Sequence, residues 1–194
     1  MDKTTELWLI RHGETEWSVS GAHTGISDIP LTARGEERAA GVRDYLRHRP
    51  FALVLVSPRK RAQETCRIAG YADQAQIDPD LAEWNYGDFE GKTTTEIRKT
   101  YPDWDIWKGP VPHGETIDQV AVRARRVIDR SVAAGGPVAL FAHGHILRIL
   151  TACWLGLPPD GGRLFALGTG SVSRLGFERD TRVISAWNRS FENE

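Results

Sequence analysis

Leu7-Trp8-Leu9-Ile10-Arg11-His12-Gly13-Glu14-Thr15-Glu16-Trp17 is the stretch on which the fold turns. Its first four residues are an apolar run too short for a helix and of the right length for a buried strand. The run stops at a cation, an imidazole and a glycine. In open α/β sheets ligands bind at the carboxyl ends of the strands, so such an ending delivers Arg11 and His12 to a functional edge. Gly13 allows a sharp exit and a close approach to the backbone. Alone, the stretch reads as well as a strand meeting water. Later stretches have to supply partners for it.

Two further apolar runs end in the same way. Residues 51–56 lead into Ser57-Pro58-Arg59, and residues 137–142 lead into His143-Gly144-His145. Helical spacing lies between them. Thr32 is a predicted N-cap for a helix carrying Ala39, Val42 and Leu46 on one face and ending at Pro50. Pro58 opens a second helix with Ala62, Cys66 and Ala69 on one face. Arg59, Lys60 and Arg61 then stand at the end of that helix where cations are disfavoured, and an anion would offset them. Thr93 with Glu96, and Thr116 with Gln119, form capping boxes for two more helices. The second of these places Ile117, Val120, Ala121, Ala124, Val127 and Ile128 on one face. Its arginines, Arg123, Arg125, Arg126 and Arg130, read as a solvated face. Residues 172–177 and 183–187 look like closing strands.

Residues 17–31 show no period and are read as a loop. Residues 83–91 are an aromatic segment between glycines, a loop or a hairpin. Trp104 and Trp107, with Pro110 and Pro112, read as a packed corner or a lid, the corner being favoured. The tail from Arg189 is read as loose. Alternating strands and helices predict an α/β protein with three α/β/α layers and a mostly parallel central sheet.

The chain has 194 residues, which suits a single domain over residues 1–194. Hydrophobic residues make up 40% and charged residues 26%, the profile of a globular protein. A net charge of −1 gives no overall basic field for nucleic acid. No apolar run approaches the length of a membrane span, and residues 1–5 lack the apolar core of a signal peptide. The two cysteines, Cys66 and Cys153, lie in apolar contexts. They read as reduced, buried thiols of a cytoplasmic protein, with one disulfide as the other arrangement. His143 and His145 are two residues apart with no further Cys or His cluster, a weak basis for a metal site. Neither metal nor cofactor is expected.

Arg11-His12-Gly13-Glu14-Thr15 resembles the signature of the histidine phosphatase superfamily, which includes phosphoglycerate mutases and many phosphatases. The resemblance implies a phosphoglycerate mutase-like fold and the following catalytic roles. His12 is the nucleophile that becomes transiently phosphorylated. Arg11 and Arg59 hold phosphoryl oxygens, Glu83 is the acid and base, and His143 completes the group. Only a short stretch separates Glu83 from Gly114-Glu115-Thr116, and His145 stands where mutases tend to carry asparagine. Both departures favour hydrolysis over mutase activity. Trp17-Ser18, Thr24-Gly25, Trp84 with Tyr86-Gly87-Asp88, and Phe141 to His145 are similar to the branch of sedoheptulose-1,7-bisphosphatases and broad-specificity acid phosphatases. That likeness implies substrate contacts at Ser18, Thr24, Gly25, Trp84, Asn85, Tyr86, Gly144, His145 and Arg148.

The chemistry of these residue types is coherent. Arginine forks match phosphate oxygens bidentately. Nearby arginines also disfavour a proton on His12 and keep a lone pair free. The expected function is a metal-independent phosphomonoesterase working through a phosphohistidine on a small metabolite, a sugar phosphate or bisphosphate. The alternatives are a cofactor-dependent phosphoglycerate mutase, a phosphohistidine protein phosphatase, and a non-enzymatic module that senses phosphometabolites. The expected partner is the small phosphomonoester. A homodimer stays open, and neither nucleic acid nor membrane is expected.

Overall fold

The computed structural model describes residues 5–191. Its strands are β1 (Leu7–Arg11), β2 (Leu53–Val56), β3 (Ala75–Ile77), β4 (Val138–Ala142), β5 (Val172–Glu178) and β6 (Thr181–Arg189). Its helices are α1 (Glu16–Ser20), α2 (Ala33–Leu46), α3 (Lys60–Ile68), α4 (Thr94–Arg98), α5 (Ile117–Ala133) and α6 (Gly144–Trp154). The strands form one sheet in the order β3-β2-β4-β1-β5-β6. The first four run parallel, β5 pairs antiparallel with β1, and β6 pairs antiparallel with β5.

Strand alternation divides the core into two. Leu7 and Leu9 of β1, with Val138 and Leu140 of β4, pack against α5 and α6. Trp8 and Ile10, with Ala139 and Phe141, pack against α2 and α3 on the other face. The result is three layers, as the alternation of strands and helices predicts. Each such side chain, taken fully out of water, contributes about 1.5–3 kcal/mol.

The insertion of β4 between β1 and β2 positions the site. Arg11 pairs with Ala142, and Val56 pairs with Phe141. The residues that follow, His12, Ser57 and His143, therefore leave the sheet side by side. Gly13 is required here by close approach. A Cβ on it would lie 2.2 Å from the carbonyl oxygen of Gly35, and one on Gly35 would lie 2.2 Å from that of Glu14. The first turn of α2 thus rests backbone to backbone on the loop after β1.

Several sequence readings need correction. Residues 16–20 form the short α1, capped reciprocally by Thr15 and Ser18. A single turn is too short to show a period, so it read as loop. β3 was missed for a similar reason: it has three residues, and Ile77 is 61% exposed. Pro58 precedes the N-cap Arg59 and is not the first helical residue. Residues 87–89 form a 3-10 turn and not a hairpin strand. Of the α5 arginines, Arg125, Arg126 and Arg130 are exposed as expected and Arg123 is half-buried. Arg123 pairs with Glu115, and Arg126 and Arg130 pair with Asp80 and Asp78. Phe191 packs its ring 4.7 Å from that of Tyr45, so the tail is held at least to that point. Residues 192–194 of that tail, and residues 1–4 of the segment scanned for a signal peptide, lie outside the described residues. Both cysteines are free thiols, Cys66 buried and Cys153 half-buried. Among the described residues no helix is long and apolar enough to cross a membrane.

Candidate active site

A cavity of about 280 Å³ opens at the carboxyl edge of the sheet. Arg11, His12, Glu83, Gly144, His145 and Arg148 line it, and Ser18, His23, Thr24 and Tyr86 are among the further lining residues. His143 lies beneath, fully buried, with its ring 5.1 Å from that of His12.

Backbone bonds set the chemistry of His12. Its Nδ1 lies 2.7 Å from its neighbour's carbonyl oxygen, that of Gly13. A carbonyl only accepts, so Nδ1 carries the proton and Nε2 keeps its lone pair. Burial pushes this imidazole well below the usual histidine range, and the charges of Arg61 and Arg11 push it further. The neutral state that a nucleophile needs is thus built in, as the flanking arginines suggested.

His143 is fixed through a serine that the sequence reading passed over. Ser57 Oγ lies 2.6 Å from His143 Nε2 and accepts the backbone N–H of Arg59 at 3.2 Å. Burial, then Arg61 and His12, hold His143 well below the usual range, so it too is neutral.

The cations divide differently from expectation. Arg11 donates to the carbonyl of Leu167, and its guanidinium lies against Gly144. Arg59 stands at the N-cap of α3, and neither it nor Arg61 is among the residues lining the cavity. The charge of Arg59 acts on His143 but is not among those acting on His12. Arg61 is the cation missed. It is 1% exposed, donates to the carbonyls of Ser27, Thr24 and Gly25, and exerts the largest charge effect on both histidines. The available signal was its spacing. Arg61 and Thr65 are four residues apart, beside Ala62 and Cys66 on the buried face. Thr65 Oγ1 accepts the N–H of Gly13 at 3.0 Å, tying α3 to the loop that carries His12. Arg11 Nε, Arg59 Nε, Arg61 Nε and His143 Nδ1 are buried with no hydrogen-bond partner among the described residues. Buried donors are ordinarily paired, so this set suits an acceptor-rich anion such as phosphate.

Glu83 hangs from backbone donors. Its Oε1 accepts the N–H of Trp84 and of Ile146, and its Oε2 accepts that of His145, each at 2.9 Å. The first turn of α6 therefore orients the carboxylate. Arg123 and Glu115 brace the chain on either side. Arg123 Nη1 donates to the carbonyls of Asp80 and Ala82, and Glu115 Oε2 accepts the N–H of Asn85.

The expected substrate contacts separate into two groups. Ser18, Thr24, Tyr86, Gly144, His145 and Arg148 line the cavity. Ser18 also closes the α1 cap, and Thr24 Oγ1 donates to the carbonyl of Ala22. Arg148 is partly committed, donating to the carbonyl of Gly162 and stacking 4.6 Å from Trp107. Gly25, Trp84 and Asn85 stand outside the lining. The Gly25 N–H is taken by the carboxylate of Glu90, and a Cβ there would lie 2.3 Å from the Trp84 carbonyl oxygen. Trp84 is buried and donates Nε1–H to the Glu115 carbonyl, while Asn85 Oδ1 accepts the N–H of Gly87. His145 and His143 do not converge on a shared point. Tyr86 holds His145 Nδ1 at 2.6 Å, and Ser57 holds His143. Among the described residues no group of three or more His, Cys, Asp or Glu is arranged to hold a metal ion.

Comparison with known proteins identifies the family. Residues 7–190 match the histidine phosphatase superfamily (branch 1). The chain is 36% identical over 183 residues to an acid phosphatase of Mycobacterium tuberculosis, covering 92% of this chain and 90% of that one. It is 35% identical to a sedoheptulose 1,7-bisphosphatase of Saccharomyces cerevisiae, over 79% of this chain and 69% of the relative. Among solved structures, that of a Mycobacterium tuberculosis open reading frame superposes with a TM-score of 0.92 at 34% identity, covering 97% of this chain and 99% of the other.

Proposed function

We propose that this phosphatase, which belongs to the histidine phosphatase superfamily, hydrolyses a small phosphomonoester through a phosphohistidine on His12, with side-chain cations supplying the positive charge. The observation that carries this reading is the tautomer of His12, whose Nδ1 is spent on Gly13 and whose Nε2 is left as a lone pair beside buried, unpartnered arginine donors.

In the first step His12 Nε2 attacks phosphorus. The bond from phosphorus to the ester oxygen breaks, and Glu83 gives a proton to the departing alkoxide. Glu83 Oε2, with a single backbone bond, is the oxygen left to carry that proton. In the second step Glu83 takes a proton from water, the water oxygen bonds to phosphorus, and the N–P bond breaks. Arg11, Arg61 and the Nδ1–H of His143 stabilise charge on the equatorial oxygens. Arg61 here takes the role that the resemblance suggested for Arg59, because its charge bears most on both histidines.

The small volume of the cavity, about 280 Å³, supports a small substrate over a protein. The residues beyond the phosphoryl pocket support a sugar phosphate. The test is phosphate release from 4-nitrophenyl phosphate, sugar phosphates and 3-phosphoglycerate, in wild type and His12→Ala. The reading predicts release that the variant loses. Isomerisation of 3-phosphoglycerate without release would favour a mutase, and release by His12→Ala would overturn the mechanism.

A further inference from the structure

The cavity lining includes a histidine, His23, to which nothing above assigns a role. His23 is pinned from two sides. Its backbone N–H and its Nδ1 both reach the carbonyl of Lys92, at 3.0 and 2.7 Å. Its own carbonyl accepts the N–H of Gly91 at 2.8 Å. The ring stands edge-on to Tyr86 and Trp104, with centroids 4.9 and 5.4 Å away. Such contacts hold an imidazole plane without using its second nitrogen. Because Nδ1 donates to a carbonyl, Nε2 is a lone pair. It has no protein partner among the described residues, and His23 lines the cavity.

His145 lies parallel to it, with an interplanar angle of 5° and centroids 6.4 Å apart. Burial raises the Tyr86 phenol well above its ordinary range, so it keeps its hydrogen. The buried hydroxyl has no other acceptor among the described residues, so its hydrogen goes to His145 Nδ1, 2.6 Å away. His145 Nε2 therefore bears a proton and donates. The wall thus presents one acceptor and one donor on two parallel rings, both held neutral by burial.

We propose that His23 is a specificity-determining residue whose Nε2, with the Nε2–H of His145, recognises hydroxyl groups of the leaving alcohol, so that the preferred substrate is a polyol or sugar monophosphate. The inference rests on the phosphatase reading of the same cavity. The complementarity is chemical. An alcohol both donates and accepts, and two neighbouring hydroxyls satisfy the pair of rings. A second phosphoryl group offers only acceptors and negative charge, and would leave the lone pair of His23 facing them. An alkyl chain would leave both nitrogens without water or partner, which is the costly arrangement for buried polar groups.

The experiment compares erythritol 4-phosphate with butyl phosphate, equal in carbon number, in wild type, His23→Phe and His23→Gln. The readout is the ratio of the two kcat/KM values, which a loss of folded enzyme does not move. Wild type is expected to favour the polyol phosphate by about tenfold or more, the worth of a neutral hydrogen bond or two. His23→Phe keeps an aromatic ring against Tyr86 and Trp104 and is expected to bring the ratio near one. His23→Gln returns an acceptor and is expected to restore part of it. A wild-type ratio near one, an unchanged ratio in His23→Phe, or a stronger preference for a sugar bisphosphate that survives His23→Phe would overturn the proposal. Loss of the His12 requirement for every substrate would instead overturn the reading on which it rests.

Discussion

Ser57 Oγ sits 2.6 Å from His143 Nε2 and at the same time accepts the N–H of Arg59. Ser57 is fully buried and its hydroxyl hydrogen has no other acceptor among the described residues, so that hydrogen goes to the imidazole. His143 then carries its proton on Nδ1, the buried nitrogen without a partner. A serine at the end of β2 thus decides which atom of a histidine at the end of β4 can donate to phosphate.

Removing that hydroxyl releases the tautomer. Ser57→Ala is expected to lower kcat about ten- to hundredfold, by analogy with the cost of a histidine in the wrong tautomer or orientation. Ser57→Thr keeps the hydroxyl and should recover much of the loss. Steady-state kinetics with a single phosphomonoester suffices. A kcat for Ser57→Ala within twofold of wild type would contradict the assignment.

The two arginines of α3 separate by mutation. Arg61→Ala removes a positive neighbour of the transferring group and should lower kcat/KM by about 10² to 10³. Arg59→Ala should cost at least tenfold less. Arg61 also suppresses the protonation of His12, so Arg61→Ala raises the pH at which the nucleophile is lost. The acidic limb of kcat/KM therefore moves to higher pH. A larger effect at Arg59 would restore the expectation drawn from the sequence.

Arg123 donates from Nε and Nη2 to the two oxygens of Glu115, each at 2.8 Å. The same guanidinium holds the carbonyls before Glu83, and Glu115 holds the N–H after it. Arg123→Ala is expected to destabilise the fold by about 2–3 kcal/mol, the range for charged hydrogen bonds left unmade. Arg126, which is half exposed, forms a surface pair with Asp80, and Arg126→Ala should cost no more than about 1 kcal/mol. Urea unfolding compares the two. Equal losses would remove the bracing role from Arg123.

Acid should loosen the molecule in a definite direction. His12, His23, His143 and His145 are all held below the ordinary histidine range, chiefly by burial. Above that range both folded and unfolded chains carry them neutral, so they do not affect the pH dependence. As pH falls below about 6.5 the unfolded chain takes up protons that the folded chain refuses, and stability drops. The thermal midpoint is therefore expected to fall from pH 7 to pH 5. Replacing a single one of these buried histidines with a non-titrating residue should reduce that slope. A flat profile would contradict the burial argument.

The three strand ends were legible because each is an apolar run cut off by polar residues, and a parallel sheet gathers such ends. His12, His143 and Arg11 follow directly from that pattern, as do the Thr93 and Thr116 caps. Ser57 leaves no such signal, since a serine after a strand reads as a turn until its partner 86 residues away is seen. Arg61 hid among three consecutive cations, and only the buried face of α3 tells it from Arg59. Gly25, Trp84 and Asn85 stand outside the cavity lining and have protein partners for their polar groups. Glu90 and Glu115 occupy their polar groups, and such pairings across the chain leave no local signal. His23 sat in a segment without period, where no pattern distinguishes a cavity wall from a solvated turn.

The central claim is a covalent phosphohistidine on His12. Rapid quenching of the enzyme during turnover of a radiolabelled phosphomonoester, followed by peptide mapping, tests it most directly. The account predicts a phosphoenzyme that is labile in acid and stable in alkali, located on the peptide carrying His12, and absent in His12→Ala. Turnover by His12→Ala, or label found only on another residue, would contradict it.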